Sequence, residues 1–490
     1  MGKRLTSRYV LVVHEVTTTS VKIWVGALLP SLAKPHNWRL VVRKVNSETD
    51  RKNETGEIIK TITHLKEQGD VWERPFDRLD KRFFKVEIID GLESGQDYII
   101  EFESRVELEW ELLEKSFLTT LPQALPAADD RPFTIGLGSC FYTKHDGGRA
   151  GQAFEALYRH HQYRPDIKFL TGDQVYLDIG LGWYPLSEDD CQDRIADDYA
   201  ESWDLMRSIL RRGGTWMLAD DHEYWNNYPF LKGINPYLAT LQHDEAFKQR
   251  WEAAAKRGVQ IVQQIQTLRI FNIGNDISFC IADLRSERTK HGFMSDAAFQ
   301  QLLNWTKQLA CPGVLVIPQP LIAGKGDVND KNLPDWPQYN ELIVALQNGG
   351  HDIVVLAGDV HFGRVSQVTI GGSGNKLIEV IASPISNLSE LNGYAASKPD
   401  TSSKMFPVAP VAGVPANPVD YLGTVTTENK WWDLRFPRPR TTEHLMTVSF
   451  YRDGQSVKMK VYAWDVWNPD RRSGLPKPIR KFDIAPIALK

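Results

Sequence analysis

A chain of 490 residues with 42% hydrophobic and 24% charged content is long enough for two or three packed domains and too apolar for intrinsic disorder. Its formal net charge of -4 gives no electrostatic case for nucleic acid, and no basic run makes one locally. Four cysteines, Cys140, Cys191, Cys280 and Cys311, are too few for a disulfide framework.

The opening Met1-Gly2-Lys3-Arg4 passes quickly into a strand-like run at 9–13, too short for the apolar region of a signal peptide, and no later stretch reaches transmembrane length. The expectation is a soluble, cytoplasmic chain without a membrane segment. Runs at 9–13, 20–27, 38–45, 83–89, 98–103 and 115–120 read as short strands between polar turns, the spacing of a β-sandwich. With Trp24 in an early strand and Tyr98 just after Ser94-Gly95-Gln96-Asp97, this segment resembles a fibronectin type III or immunoglobulin-like module, in which a Tyr pins a corner. The expected module spans 1–122, and 123–132, carrying Pro126, Asp129, Asp130 and Pro132, reads as a linker.

Past the linker the period changes. A helix at 149–161 lies between a strand ending near Cys140 and one ending near Asp173, a β-α-β crossover that makes those strands parallel. A helix at 195–212, stopped by Gly213-Gly214, feeds the strand before Asp220, and 244–266 reads as a further helix. Runs at 268–273 and 277–282 form a hairpin, Ser295 is placed to cap a helix reaching 309, and a strand at 314–317 follows. A helix at 338–347 delivers the strand before Asp359; strands at 365–370 and 377–381 and a closing hairpin at 445–451 and 457–463 complete the pattern. Such alternation predicts an α/β sandwich of two mixed sheets flanked by helices over 133–490. The segment 387–440, rich in Pro, Gly and aromatics including Trp431, Trp432 and Phe436, reads as a rim or lid. Asn-X-Ser/Thr patterns at Asn53, Asn304 and Asn387 are uninformative by themselves.

Four apolar runs end in the same chemistry. The run 134–138 leads to Ser139-Cys140; 167–171 leads to Gly172-Asp173-Gln174-Val175-Tyr176; 216–219 leads to Asp220-Asp221-His222-Glu223; and 353–357 leads to Gly358-Asp359-Val360-His361. If these strands lie side by side in one sheet, their ends converge as a thiol, a phenol, carboxylates and imidazoles, the inventory of a di- or multinuclear metal site.

In this order the motifs, with Asn226-Asn227 after the third and Asp283-Leu284-Arg285 fitting less sharply, resemble the metallophosphoesterases and, more narrowly, the PhoD-like alkaline phosphatase D family. The resemblance implies a metal-dependent phosphomonoesterase or phosphodiesterase, with ferric iron on Cys140, Asp173, Tyr176 and His361. It also implies one or more calcium ions near Asp173, Asp221, Asn227 and Asp359, with Asp173 bridging; Mn, Zn or Mg are alternative ions. Asp221 and Asp359 stand where the wider superfamily places neutral ligands, which favours a hard ion, while thiolate and phenolate suit ferric iron. Asn226 stands beside Asn227, and either amide could instead bond the backbone. His222 is the candidate general acid, with Asp220 or Glu223 fixing its tautomer. Arg285 carries two readings, phosphate stabilisation or a loop salt bridge. His444 reads as capped or exposed, and Cys191, Cys280 and Cys311 as buried thiols.

The partner expected is a phosphate ester, with no nucleic-acid signal. Relatives of this family are typically secreted, at odds with the start of this chain. Two other readings stand beside the first: a metallophosphoesterase acting on nucleotides or phosphoproteins, and a non-catalytic scaffold stabilised by metal.

Overall fold

The computed structural model describes residues 8–69, 71–178, 187–231, 236–327, 331–371, 374–388, 399–426, 441–470, 472–479 and 482–490. Alternating apolar residues at the start of the chain pair into two antiparallel sheets, Val10–Val16, Ser20–Ala27 and Phe83–Asp90 in one, and Glu57–His64, Trp38–Lys44, Asp97–Val106 and Glu109–Thr119 in the other. Val13, Ile23, Trp38, Leu40, Ile100 and Phe102 fill the space between them. The Tyr98 hydroxyl accepts the Glu93 amide at 2.8 Å, the corner expected of it. Trp24 behaves differently: it lies in a second core with helical residues, stacks on Phe84 and donates its indole N–H to Ile261 O at 3.1 Å.

Two mixed sheets make up the rest of the core. The first runs Gly214–Leu218, Ile167–Thr171, Phe133–Gly138, His444–Asp453, Ser456–Pro469, Pro476–Pro478, with Ile487–Leu489 also on Ser456–Pro469. The second runs Leu268–Ile273, Ile277–Ala282, Gly313–Val316, Ile353–Ala357, Asn375–Ile381, Gly363–Ile370, Asp420–Val425. Their inner faces meet through Leu137, Phe169, Leu218, Phe279, Val316 and Leu356, all essentially dry. Helices Arg149–Arg159 and Glu188–Leu205 cover the outer face of the first sheet, and Asp296–Gln308 and Pro337–Asn348 that of the second. The crossover reading holds: Phe133–Gly138 and Ile167–Thr171 are parallel.

The four motif-bearing strands are not all in one sheet. Three belong to the first, and Ile353–Ala357 belongs to the second, so the polar ends meet across the sandwich. Residues 123–132 are not a free linker either, because Leu125 is buried, its amide donates to Asp276 at 2.7 Å, and Ala127 bridges to Arg452. Ser295 occupies the N-cap position with no side-chain capping bond. Within 387–440, Asp420–Val425 is an edge strand of the second sheet and not a loose rim; Trp431, Trp432 and Phe436 lie outside the described residues. Among the described residues no helix is long and apolar enough to cross a membrane.

Candidate metal centre

The strand ends approach so closely that side chains must be absent at two points. A Cβ on Gly172, whose φ is +109°, would sit 2.5 Å from Asp220 Cβ, and one on Gly358 would sit 2.5 Å from the Ser139 side chain. Beyond these glycines the chain turns through the left-handed region at Cys140, Asp173, Asn227, Asp359 and His361, with φ between 51° and 69°. Such backbone costs roughly 1–3 kcal/mol per residue without glycine and persists only where surroundings enforce it, which is why it gathers at functional sites. Five of the eight non-glycine residues with positive φ among the described residues meet at this one place, so the strain itself marks the site.

Among the described residues three donor groups form there, each buried but for one half-buried member and each with ligand atoms within 4.8 Å of one another: Cys140, Asp173 and His361; Asp173, Asp221 and His222; and Asp173, Asp220, Asp221 and Asp359. Asp173 belongs to all three, the position of a bridging carboxylate. Cys140 Sγ lies 3.4 Å from Asp173 Oδ2, and the Tyr176 hydroxyl donates to that same oxygen at 3.3 Å. Asn387 Nδ2 reaches both the Tyr176 hydroxyl at 2.8 Å and His361 Nε2 at 3.1 Å, although its sequence context suggested only a glycosylation pattern. On the opposite side Gln319 donates to Asp359 Oδ2 at 3.0 Å, and Arg288 donates to Gln319 at 2.6 Å.

Electrostatics here is short of positive charge. Burial, then the neighbouring carboxylates, pushes Asp173 well above the usual carboxylate range, and burial followed by Asp173 does the same to the Cys140 thiol and the Tyr176 phenol. Asp220 and Asp359 are also raised, burial being the largest cause, whereas Asp221 is lowered because His222, Arg285 and the Asn227 amide overcome its burial. Burial lowers His361 to about 4, so its imidazole is a neutral donor. Asp220 Oδ2 is buried without a hydrogen-bond partner. Hard carboxylate oxygens, a thiol, a phenol and a neutral imidazole around such an orphaned acceptor fit bound cations, which would supply the missing charge.

Two expected roles change and one is decided. His222 is held by neither Asp220 nor Glu223: its Nδ1 meets Asp178 Oδ1 at 2.6 Å, and Asp178 Oδ2 accepts the Asn226 amide at 2.9 Å. Burial opposes the charge on His222, but Asp178, Asp221 and Asp173 outweigh it and hold the ring well above its ordinary pKa. Glu223 instead accepts the amides of Asp173 at 2.9 Å, Gln174 at 2.7 Å and Asp220 at 2.9 Å, tying two strand ends together. Of the two readings of Arg285, the structure shows the loop salt bridge, here a buried one: Arg285 is bonded to Asp220 and donates to Tyr228 O at 2.9 Å.

The backbone N–H of Asn227 donates to Asp221 Oδ2 at 2.5 Å, a positioning bond for that carboxylate. His444 is fully buried, with Nδ1 on Thr442 O at 2.7 Å, and Cys311 is only partly buried. The signals for Asp178 and Asn387 in the sequence were slight: an acidic residue closing the Asp173 loop, and an Asn following the strand that ends at Ile381.

No family model and no curated protein matches the chain. Among solved structures, the structure of PhoD aligns over 99% of this chain and 94% of its own at 16% identity, with a TM-score of 0.58. This chain therefore has a PhoD-like fold. The third fibronectin III domain of a human protein aligns over 26% of this chain and 95% of its own at 14% identity and a TM-score of 0.15. A Bacteroides uniformis beta-glucuronidase aligns over 73% of this chain and 41% of its own at 9% identity and a TM-score of 0.25. Neither of the last two carries weight at such scores.

Proposed function

We propose that this chain is a metal-dependent phosphoric ester hydrolase of the alkaline phosphatase D kind, acting on a phosphate monoester or diester. What carries the reading is the convergence of three largely buried donor groups on Asp173 at the strand ends of a PhoD-like fold. Cys140, Asp173, Tyr176 and His361 would hold iron, and Asp173, Asp221, Asn227 and Asp359 calcium; Asp220, with its unpartnered oxygen, joins the second set. Bound there, such ions supply Lewis acidity toward a phosphoryl group and a water.

The chain's own residues do the rest. Asp178 accepts the proton on Nδ1 of His222 as a hydrogen bond, which leaves Nε2 to deliver a proton to the leaving oxygen. The His222 side chain is 13% exposed, whereas Asp173 is buried, so the imidazole lies nearer solvent than the shared carboxylate. Arg285 holds Asp220, and Glu223 fixes the backbone from which Asp173 projects. In this reading 1–122 is a fibronectin III or immunoglobulin-like domain and 133–490 the phosphatase domain.

The test is elemental analysis of the purified protein, run beside hydrolysis of p-nitrophenyl phosphate and its bis ester. Iron with calcium, and turnover abolished in Asp173→Ala, is the expected result. Stoichiometric metal with no turnover of either ester would leave a metal-stabilised scaffold in its place.

A further inference from the structure

A cavity of about 470 Å³ opens between the N-terminal sandwich and the helix Arg149–Arg159. It sits at the amino end of the strand Ile167–Thr171, whereas Asp173 lies beyond its carboxyl end, and five residues at about 3.3 Å each put about 16 Å of strand between them. Its wall carries Arg51, Lys52, Arg159, Arg164 and Arg212 against the carboxylates Glu48, Glu54 and Asp97. Arg212 and Arg159 are answered by Glu155, at 2.6 Å and 2.7 Å. Arg51 bonds Glu48 Oε1 at 2.9 Å as well as Asp97 Oδ2, whereas Arg164 is left to share that same Asp97 oxygen, which it reaches only at 3.5 Å. The other oxygen of Asp97 accepts the Thr119 hydroxyl at 2.5 Å.

Arg164 is 4% exposed, and its Nε is buried with no hydrogen-bond partner. A desolvated guanidinium with an unmade bond costs more than a solvated one, so the position calls for an anion. Arg51 belongs to the sandwich and Arg164 to the α/β body, and their N–H groups converge on one point, at Asp97 Oδ2, where several donors together suit a phosphate oxyanion. Phe117, under the Arg212 guanidinium at 3.7 Å, and the ring of Tyr158 line the remaining space with apolar surface.

We propose that this cavity is a second anion site, binding a phosphate group, free or carried on a small organic molecule, through Arg164 and Arg51. It is independent of the hydrolase reading, since it shares no residue with the metal centre. Because Arg51 comes from the sandwich and Arg164 from the body, the bound anion joins the two.

Calorimetric titration of the full chain with inorganic phosphate and with phenylphosphonate tests it, using wild type, Asp173→Ala, and the arginine variants Arg164→Met and Arg51→Met each made in the Asp173→Ala background. Binding that persists in Asp173→Ala and weakens at least tenfold when either arginine change is added to it is expected, with phosphate raising the melting temperature of Asp173→Ala and not of Asp173→Ala carrying Arg51→Met. Tighter phenylphosphonate assigns the cavity to an organic phosphate, and tighter inorganic phosphate to the free ion. Arg51 is half-exposed on a short helix, so its variant decides the matter should Arg164→Met fail to fold. Phosphate binding that vanishes in Asp173→Ala, or is unchanged in the arginine variants, overturns the proposal.

Discussion

His222 shows where residue-level reading succeeds and where it stops. The run Asp220-Asp221-His222-Glu223 at the end of an apolar strand marked the imidazole, but the partner that orients it, Asp178, is 44 residues away in sequence. Neighbours in sequence were the natural choice, yet the turn Asp221–Glu223 aims Asp220 at Arg285 and Glu223 at backbone amides. Asp178→Asn keeps the size and removes the charge, so kcat should fall about 10²-fold or more on an alkyl phosphate. The loss should be smaller on p-nitrophenyl phosphate, whose leaving group needs the proton less; equal losses on both esters would remove His222 as the acid. His444 makes a second, separate prediction. Burial holds its folded pKa at about 4, against 6.5 unfolded, so as pH falls the unfolded chain binds the proton first. Its contribution is present above pH 6.5 and lost as pH drops toward 4, about 3 kcal/mol from 2.5 units. Urea unfolding at pH 7 and pH 4 should therefore show His444→Gln losing less stability than wild type across that window, by about this amount.

At the level of elements, legibility followed burial. Ser20–Ala27 and the hairpin Leu268–Ile273 with Ile277–Ala282 fall where the apolar pattern put them, because Ile277–Ala282 is buried throughout and the other two strands each turn one face largely inward. Glu57–His64 was missed since it is a largely exposed edge strand, and Asp420–Val425 since it too is an edge, broken by Gly423 and almost without buried residues. Such strands are held by backbone pairing, which leaves little trace in hydrophobic periodicity. The expected helix over 244–266 is two pieces, Glu245–Arg257 and a π-helical turn, Gly258–Val262. That turn has a use: Gln263 after it donates to Tyr199 at 3.0 Å and Glu223 at 3.4 Å, behind the metal centre. It is possible only because Gly258 lacks a side chain, a Cβ there falling 2.4 Å from the Tyr199 ring. The φ of Gly258 is -54°, ordinary for any residue, so Gly258→Ala tests packing alone. A stability loss of about 1–3 kcal/mol in denaturant unfolding is expected from such overpacking; an unchanged midpoint would show that Tyr199 can yield.

Across the whole molecule, the sequence divided the chain into a sandwich, a linker and a catalytic body, whereas the packing joins them. Trp24 is the clearest case. In a free sandwich an early-strand Trp belongs to the inner core, but here Trp38 fills that core and Trp24 faces outward into the helical layer. The Phe117 amide donates to Arg211 O at 2.8 Å and the Gly213 amide to Phe117 O at 2.7 Å, continuing the join through backbone. A sequence cannot distinguish these two Trp residues, since both sit in alternating strands and only the neighbouring layer decides which face is buried. The consequence is thermodynamic: if the buried join couples the two parts, they melt together. Trp24→Ala removes a fully buried indole, worth about 3–5 kcal/mol. For 490 residues the unfolding entropy is about 1 kcal/mol/K, from roughly 2.1 cal/mol/K per residue, so the shift should be about 3–5 °C. Scanning calorimetry should show one transition in wild type, moved as a whole in Trp24→Ala. Two transitions, of which only the smaller responds, would mean that the sandwich folds alone and that the Trp24 contact adds position without cooperativity.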